Sequence, residues 1–213
     1  MLHPKRTLNC RGRIVDLQHP IIMGILNVTP DSFYDGGRYN KLDDSVRQTE
    51  KMLAAGATII DVGGMSSRPG AEVIDISEEL QRTIPVISTI AEQFPDAILS
   101  IDTVHAAVAR EAIAAGAHLI NDISAGQIDD EMYTAVAELQ VPYVLMHMQG
   151  TPKTMQTQPS YDDIAQDVLD FFIREVGKLR TLGVKDIILD VGYGFGKTIA
   201  HNYTLLANQH IFQ

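Results

Sequence analysis

Six polar residues stand at or near the ends of six successive apolar runs: Asn27, Asp61, Asp102, Asn121, His147 and Asp190. In a barrel such strand ends converge on one mouth, where the following loops build the site. Strand-end Asp and Asn also cap helices and satisfy turns, so one alone carries little weight. Six on successive strands favour a shared polar pocket. His147 reads as a packed wall histidine, and no His/Cys spacing resembles a zinc site.

Three glycine-bearing loops follow such positions. Gly192-Tyr-Gly-Phe-Gly-Lys-Thr198 fails the P-loop pattern because Val191 stands where a glycine is required. It also fails the dinucleotide fingerprint, whose third glycine would fall at Lys197. What remains is a mobile backbone carrying Tyr193 and Phe195, suited to lie beside a flat aromatic ligand. In Gly63-Gly-Met-Ser-Ser-Arg-Pro-Gly70 two hydroxyls and Arg68 lie between glycines, and a guanidinium binds carboxylate or phosphate through two hydrogen bonds. The long polar stretch from Asn27 to Gly37, with Phe33 inside it, has the composition of a lid.

The elements that must position these residues alternate between strand-length and helix-length patterns. Strands are predicted at Ile21–Val28, Ile59–Val62, Ile98–Asp102, Leu119–Ile123, Tyr143–Met148 and Ile187–Val191. They are apolar nearly throughout, as parallel strands covered on both faces should be. Helical spacing marks Leu42–Ala57 and Tyr161–Leu182, and Asp75 with Glu78 reads as a capping pair for a helix reaching about Phe94. A hairpin over Thr7 to Leu17, with Gly12 at its turn, precedes them. Ala54-Ala-Gly-Ala-Thr-Ile-Ile-Asp61 recurs sixty residues later as Ala114-Ala-Gly-Ala-His-Leu-Ile-Asn121, two βα units of about 30 residues each. Six such units suit either part of a TIM (β/α)8 barrel or a doubly wound open sheet. Convergence of the polar strand ends on one mouth favours the barrel.

Composition narrows the function. The 213 residues are 45% hydrophobic and 21% charged, enough for a real core. Seventeen Lys and Arg face 27 Asp and Glu, a net charge of −10, which gives no support for nucleic-acid binding. Cys10 is the one cysteine, no apolar run is long enough for a bilayer, and the start has no signal-peptide character. The expectation is a single barrel domain over 1–213 in the cytoplasm, with small-molecule substrates and no membrane or nucleic-acid partner.

Motifs in order along nearly the whole chain closely resemble dihydropteroate synthase. They are Met23-Gly-Ile-Leu-Asn-Val-Thr-Pro-Asp-Ser-Phe33 with Asp35-Gly-Gly37, and Ile60-Asp-Val-Gly-Gly64 with Ser67-Arg-Pro-Gly70. Ser100-Ile-Asp-Thr103, Ile120-Asn-Asp122, Met146-His-Met148 with Thr154-Met-Gln156, and Gly194-Phe-Gly-Lys197 with His201-Asn202 continue the series. The resemblance implies a TIM-barrel folate-pathway transferase. Such an enzyme joins 6-hydroxymethyl-7,8-dihydropterin diphosphate to 4-aminobenzoate, releasing pyrophosphate and 7,8-dihydropteroate. It implies Asp102, Asn121 and Asp190 as the catalytic, pterin-holding groups, with Met146 on the ring face and Phe195 nearby. By the same resemblance Phe33, Ser67, Arg68 and Pro69 close over 4-aminobenzoate, where sulfonamides compete, and Asn27 holds Mg²⁺. The family is usually dimeric. Two alternatives share the pocket: a methyltetrahydrofolate corrinoid methyltransferase and a non-catalytic pterin-binding paralogue.

Three positions depart from the family pattern: Met65 in place of Glu, Ser67 in place of Thr, and Val191 in place of Pro. The family also continues beyond the point matching Gln213, with a further lysine for the pterin and cations for the diphosphate. A barrel incomplete at the C-terminus and an inactive chain are therefore expected for residues 1–213 alone.

Overall fold

A computed structural model describes residues 6–28, 38–65, 73–155 and 159–212. Strands β1 (Thr7–Cys10) and β2 (Arg13–Asp16) form the antiparallel hairpin, turning at Arg11 and Gly12, both in the left-handed region (φ 55° and 88°). Six parallel strands follow: β3 (Met23–Asn27), β4 (Ile59–Gly63), β5 (Ile98–Asp102), β6 (Leu119–Asp122), β7 (Tyr143–Met146) and β8 (Ile187–Asp190). Between them run α1 (Arg38–Ala54), α2 (Ile76–Gln93), α3 (Ala106–Ala114), α4 (Met132–Leu139) and α5 (Ile164–Thr181). Helix α6 (Ile199–Ala207) and a 3₁₀ turn (Gln209–Phe212) end the described chain.

Spatial strand order repeats sequence order from β3 to β8. A doubly wound sheet reverses its order at a switch point, whereas a barrel winds in one direction. The order therefore decides for barrel topology. Among the described residues β3 pairs only with β4 and β8 only with β7.

Alternation along each strand separates two faces. Ile60, Val62, Leu99, Ile101, Ile120 and Leu145 pack outward against the helices. Ile59, Ile98, Leu119 and Val144 point inward and meet Leu8, Cys10 and Val15 of the hairpin, which plugs the N-terminal end. Arg11 holds the plug in place by donating to the carbonyls of Ile113 (2.7 Å) and Ala117 (3.2 Å). With that end filled, the C-terminal mouth is left for chemistry.

Helix limits differ from the pattern in ways that capping explains. Helix α1 stops at Ala54 rather than Ala57, because Gly56 takes φ +99° and its N–H turns back to Leu53 O. Helix α5 starts at Ile164 rather than Tyr161, since Asp163 accepts from the N–H groups of Ala165 and Gln166. Asp75 does cap α2, but its partner is Ser77, which donates through both N and Oγ. Glu78, expected to complete that cap, pairs with Arg82 instead.

Candidate active site

Inward alternation places Asn27, Asp61, Asp102, Asn121 and Asp190 on the inner face, at and just below the C-terminal ends of their strands. Asn27, Gly63, Asp102 and Asn121 are register partners across four strands. Gly63 matters here because a Cβ on it would lie 3.3 Å from both Asn27 Oδ1 and Asp102 Oδ2. The absence of that methyl lets an amide oxygen and a carboxylate oxygen approach one point from opposite sides.

His147 is the exception among the six. It has the opposite parity to Met146 and faces outward, its ring 4.9 Å from Phe171 and 6.0 Å from Tyr161. Burial, then the nearby Lys197 charge, pushes its pKa down to about 3, so the ring is neutral at pH 7. It is a wall histidine, as its sequence position suggested, although its Nδ1 has no hydrogen-bond partner among the described residues.

Electrostatics set Asp102 apart. Burial, followed by the charges of Asp61, Glu79 and Asp122, raises its pKa well above the ordinary carboxylate range. Burial also raises Asp61, opposed by the Ser100 hydroxyl and the Asn121 amide. Of these four neighbouring carboxyls, Glu79 is opposed by His105 and Arg82 and Asp122 by its hydrogen bonds, so among the described residues Asp102 is the least compensated, which marks it as a functional candidate. Asp190 is tied down differently, its Oδ1 accepting from Gly192 N at 2.8 Å.

An apolar wall completes the mouth. Met65, Val104, Ile123, Met146, Met148 and Met155 form a buried cluster, against which Phe195 packs. Of the residues expected beside a flat ring, Met146 and Phe195 therefore do come together, whereas Tyr193 is exposed and does not join the cluster. Met65 is buried in this cluster, where a thioether fits and a carboxylate would need a partner. Polarisable thioethers make good contacts with aromatic faces. Lys197 braces the loop over this wall, donating to His147 O (3.1 Å) and Phe195 O (2.9 Å). Burial lowers its pKa to about 8, with Asp190 opposing the shift.

Sequence reasoning missed Glu79, buried behind Asp102 with His105 Nε2 4.0 Å away. A signal existed: Glu79 belongs to the buried stripe of α2 with Thr83, Val86, Ile87 and Ile90. A carboxylate at a core position of an amphipathic helix is out of pattern. Asp122 was also passed over. It faces outward, and its four hydrogen bonds, from Ser124 N, Ser124 Oγ, Gly126 N and Tyr143 OH, fix the loop that follows Asn121. Tyr143→Phe is expected to destabilise the protein by about 1.5–3 kcal/mol, the usual worth of a hydrogen bond to a charged group. Thermal unfolding should show this as a fall of roughly 3–12 °C for a chain of this size, and an unchanged midpoint would contradict it.

Phe33, Ser67, Arg68 and Pro69 lie outside the described residues. Among the described residues no helix is long and apolar enough to cross a membrane, and no group of three or more His, Cys, Asp or Glu could hold a metal ion.

With an acceptor-lined mouth beside a methionine wall established, comparison with known proteins decides the family. A family described as pterin binding enzyme matches residues 23–213. The sequence is 50% identical over 202 residues to the dihydropteroate synthase of Escherichia coli K12, covering 94% of this chain and 71% of that one. The chain belongs to the dihydropteroate synthase family. The Yersinia pestis dihydropteroate synthase, solved in a complex with a sulfonamide drug, superposes with TM-score 0.88 at 49% identity, covering 95% of this chain and 74% of its own. The Xanthomonas albilineans enzyme with 4-aminobenzoic acid superposes at 0.90 with 40% identity, over 98% and 74%. The family's barrel is the fold found here, with six βα units and the N-terminal hairpin described. Relatives named as synthases decide against the methyltransferase alternative.

Proposed function

We propose that the reaction this pocket serves joins 4-aminobenzoate to 6-hydroxymethyl-7,8-dihydropterin diphosphate, releasing pyrophosphate and 7,8-dihydropteroate. The observation that carries this reading is the pairing of an acceptor-lined inner face with a wall of methionines. A pterin presents N–H donors along one edge and flat apolar faces above and below. Asp102, Asn121 and Asp190 take the edge, while Met146 and Phe195 take a face. The arylamine nitrogen attacks the exocyclic methylene of the pterin as the carbon–oxygen bond to the diphosphate breaks. The amine gives up a proton, pyrophosphate departs, and no protein nucleophile is needed. Negative charge from Asp102 and its neighbours favours the cationic character that builds on the pterin as that bond lengthens.

Phe33, Ser67, Arg68 and Pro69 are assigned to the 4-aminobenzoate side, which sulfonamides would share. Pyrophosphate release that requires both substrates supports the proposal. Pterin binding without release would instead support a non-catalytic paralogue.

Magnesium is assigned to Asn27. The glycine gap at residue 63 leaves Asn27 Oδ1 and Asp102 Oδ2 facing a shared space, a hard-oxygen pair. Magnesium characteristically takes few protein oxygens, with waters and phosphate oxygens completing its shell, so this small donor set fits. When bound, the ion would neutralise charge on the leaving diphosphate. Asn27→Ala is therefore expected to weaken binding of the pterin diphosphate, measured with Mg²⁺ present, more than binding of the bare hydroxymethyl pterin. Equal losses for the two ligands would mean that Asn27 shapes the pocket rather than the metal site.

A further inference from the structure

Asp61 has no place in the assignments above, yet it is buried on the inner face, with no cation paired to it among the described residues. Asn121 Nδ2 donates to its Oδ2 at 2.8 Å, across sixty residues of sequence. The other end of the same amide, Asn121 Oδ1, is buried without a partner among the described residues. These facts are linked by elementary hydrogen-bond chemistry. A carboxylate only accepts, whereas a primary amide has a donating end and an accepting end. Asp61 therefore takes the NH₂ of Asn121 and leaves the carbonyl oxygen for something else. Asn121 is the register partner of Asp102, so that oxygen and the Asp102 carboxylate present two acceptors in adjacent strands. Ligand N–H groups would satisfy both.

We infer that Asp61 is a positioning residue that fixes which end of the Asn121 amide faces the ligand, making the site selective for an edge that donates at that point. This rests on the pterin reading above and deepens it. Without the carboxylate, the amide turns over at little cost. Its NH₂ then meets the ligand's own N–H groups, replacing an attraction with a donor–donor clash.

The test measures affinity for 6-hydroxymethyl-7,8-dihydropterin by calorimetry in the wild type, Asp61→Leu, Asp61→Asn, Asn121→Ala and the Asp61→Leu/Asn121→Ala double variant. Thermal midpoints are recorded for all five. Asp61→Leu is expected to bind about 10- to 100-fold more weakly, the loss associated with one mismatched buried hydrogen bond. Asp61→Asn keeps a side-chain oxygen that can accept from Asn121 and should recover affinity to within a few-fold of the wild type. In the Asn121→Ala background, Asp61→Leu should cause no further loss, because there is no amide left to orient. A purely structural role would not produce that non-additivity. If Asp61→Leu unfolds, Asp61→Ala takes its place in the same cycle. Additive losses, or an Asp61→Asn variant as weak as Asp61→Leu, would overturn the inference and leave the pterin reading standing. Absence of pterin binding by the wild type would overturn both.

Discussion

Asp102→Ala is expected to lose pterin affinity by about 10- to 100-fold for each ligand N–H that it leaves buried and unmatched, since each such group costs about 1–3 kcal/mol. Calorimetry with the hydroxymethyl pterin reads this directly, and an unchanged affinity would remove Asp102 from the site. Stability should move in the opposite direction when the charge alone is removed. Burial and then the charges of Asp61, Glu79 and Asp122 raise the folded pKa of Asp102, whereas an unfolded aspartate titrates near 3.9. Above about pH 4 the native state therefore holds a proton that the unfolded chain releases, and the stability it confers is lost as pH rises through the folded pKa. Asp102→Asn lacks that loss. It should melt above the wild type at pH 7–8 in magnesium-free buffer, with the difference shrinking towards pH 4. A lower melting temperature for Asp102→Asn at neutral pH would mean that Asp102 is held by favourable contacts instead of being strained. The predicted pattern is a residue kept for binding at a cost in stability.

Gly192→Ala is expected to be the most damaging single methyl addition at the mouth. Gly192 has φ +67°, and a Cβ built on it would stand 2.1 Å from the carbonyl oxygen of His147. That oxygen is backbone and cannot swing away. It also accepts from Lys197, and the Gly192 N–H binds Asp190, so any displacement reaches Phe195, Lys197 and Asp190 together. Left-handed strain of about 1–2 kcal/mol and overpacking of about 1–3 kcal/mol add to roughly 2–5 kcal/mol. Gly194 supplies the control: its φ is +85°, yet no described residue lies within 4 Å of the Cβ position. Gly194→Ala should show only the backbone strain. Denaturant midpoints and pterin affinity measured for both variants make the comparison. Equal effects would mean that the loop shifts freely and is not braced on β7.

Much of this architecture was legible because the strands are continuous apolar runs and the helices have clean polar stripes. Five of the six runs, those at Ile59, Ile98, Leu119, Tyr143 and Ile187, begin at the residue where the strand begins. The run from Ile21 starts two residues early, before β3 pairs with β4 at Met23. Ends were harder to read, since Asp163 and Gly56 act through local caps that compete with the helical period. Runs apolar on both faces also hide which side is the barrel interior. Only parity within each paired strand turns Met146 and Met148 inward and His147 outward. The methionine wall was invisible for a related reason. Met65, Met148 and Met155 come from separate loops and strand ends, and nothing in their local spacing says that they meet.

The sequence by itself determined that six polar strand ends exist, that βα units repeat, and that the motifs are those of a pterin enzyme. All of these are local properties, carried by residue type and spacing. The tertiary structure alone decided which groups share a cavity, because that depends on strand order and register over long separations. Asp61 and Asn121 show the division most clearly. The internal repeat marks them as equivalent positions, but only the strand order β4-β5-β6 with its register brings them close enough for one side chain to bond the other.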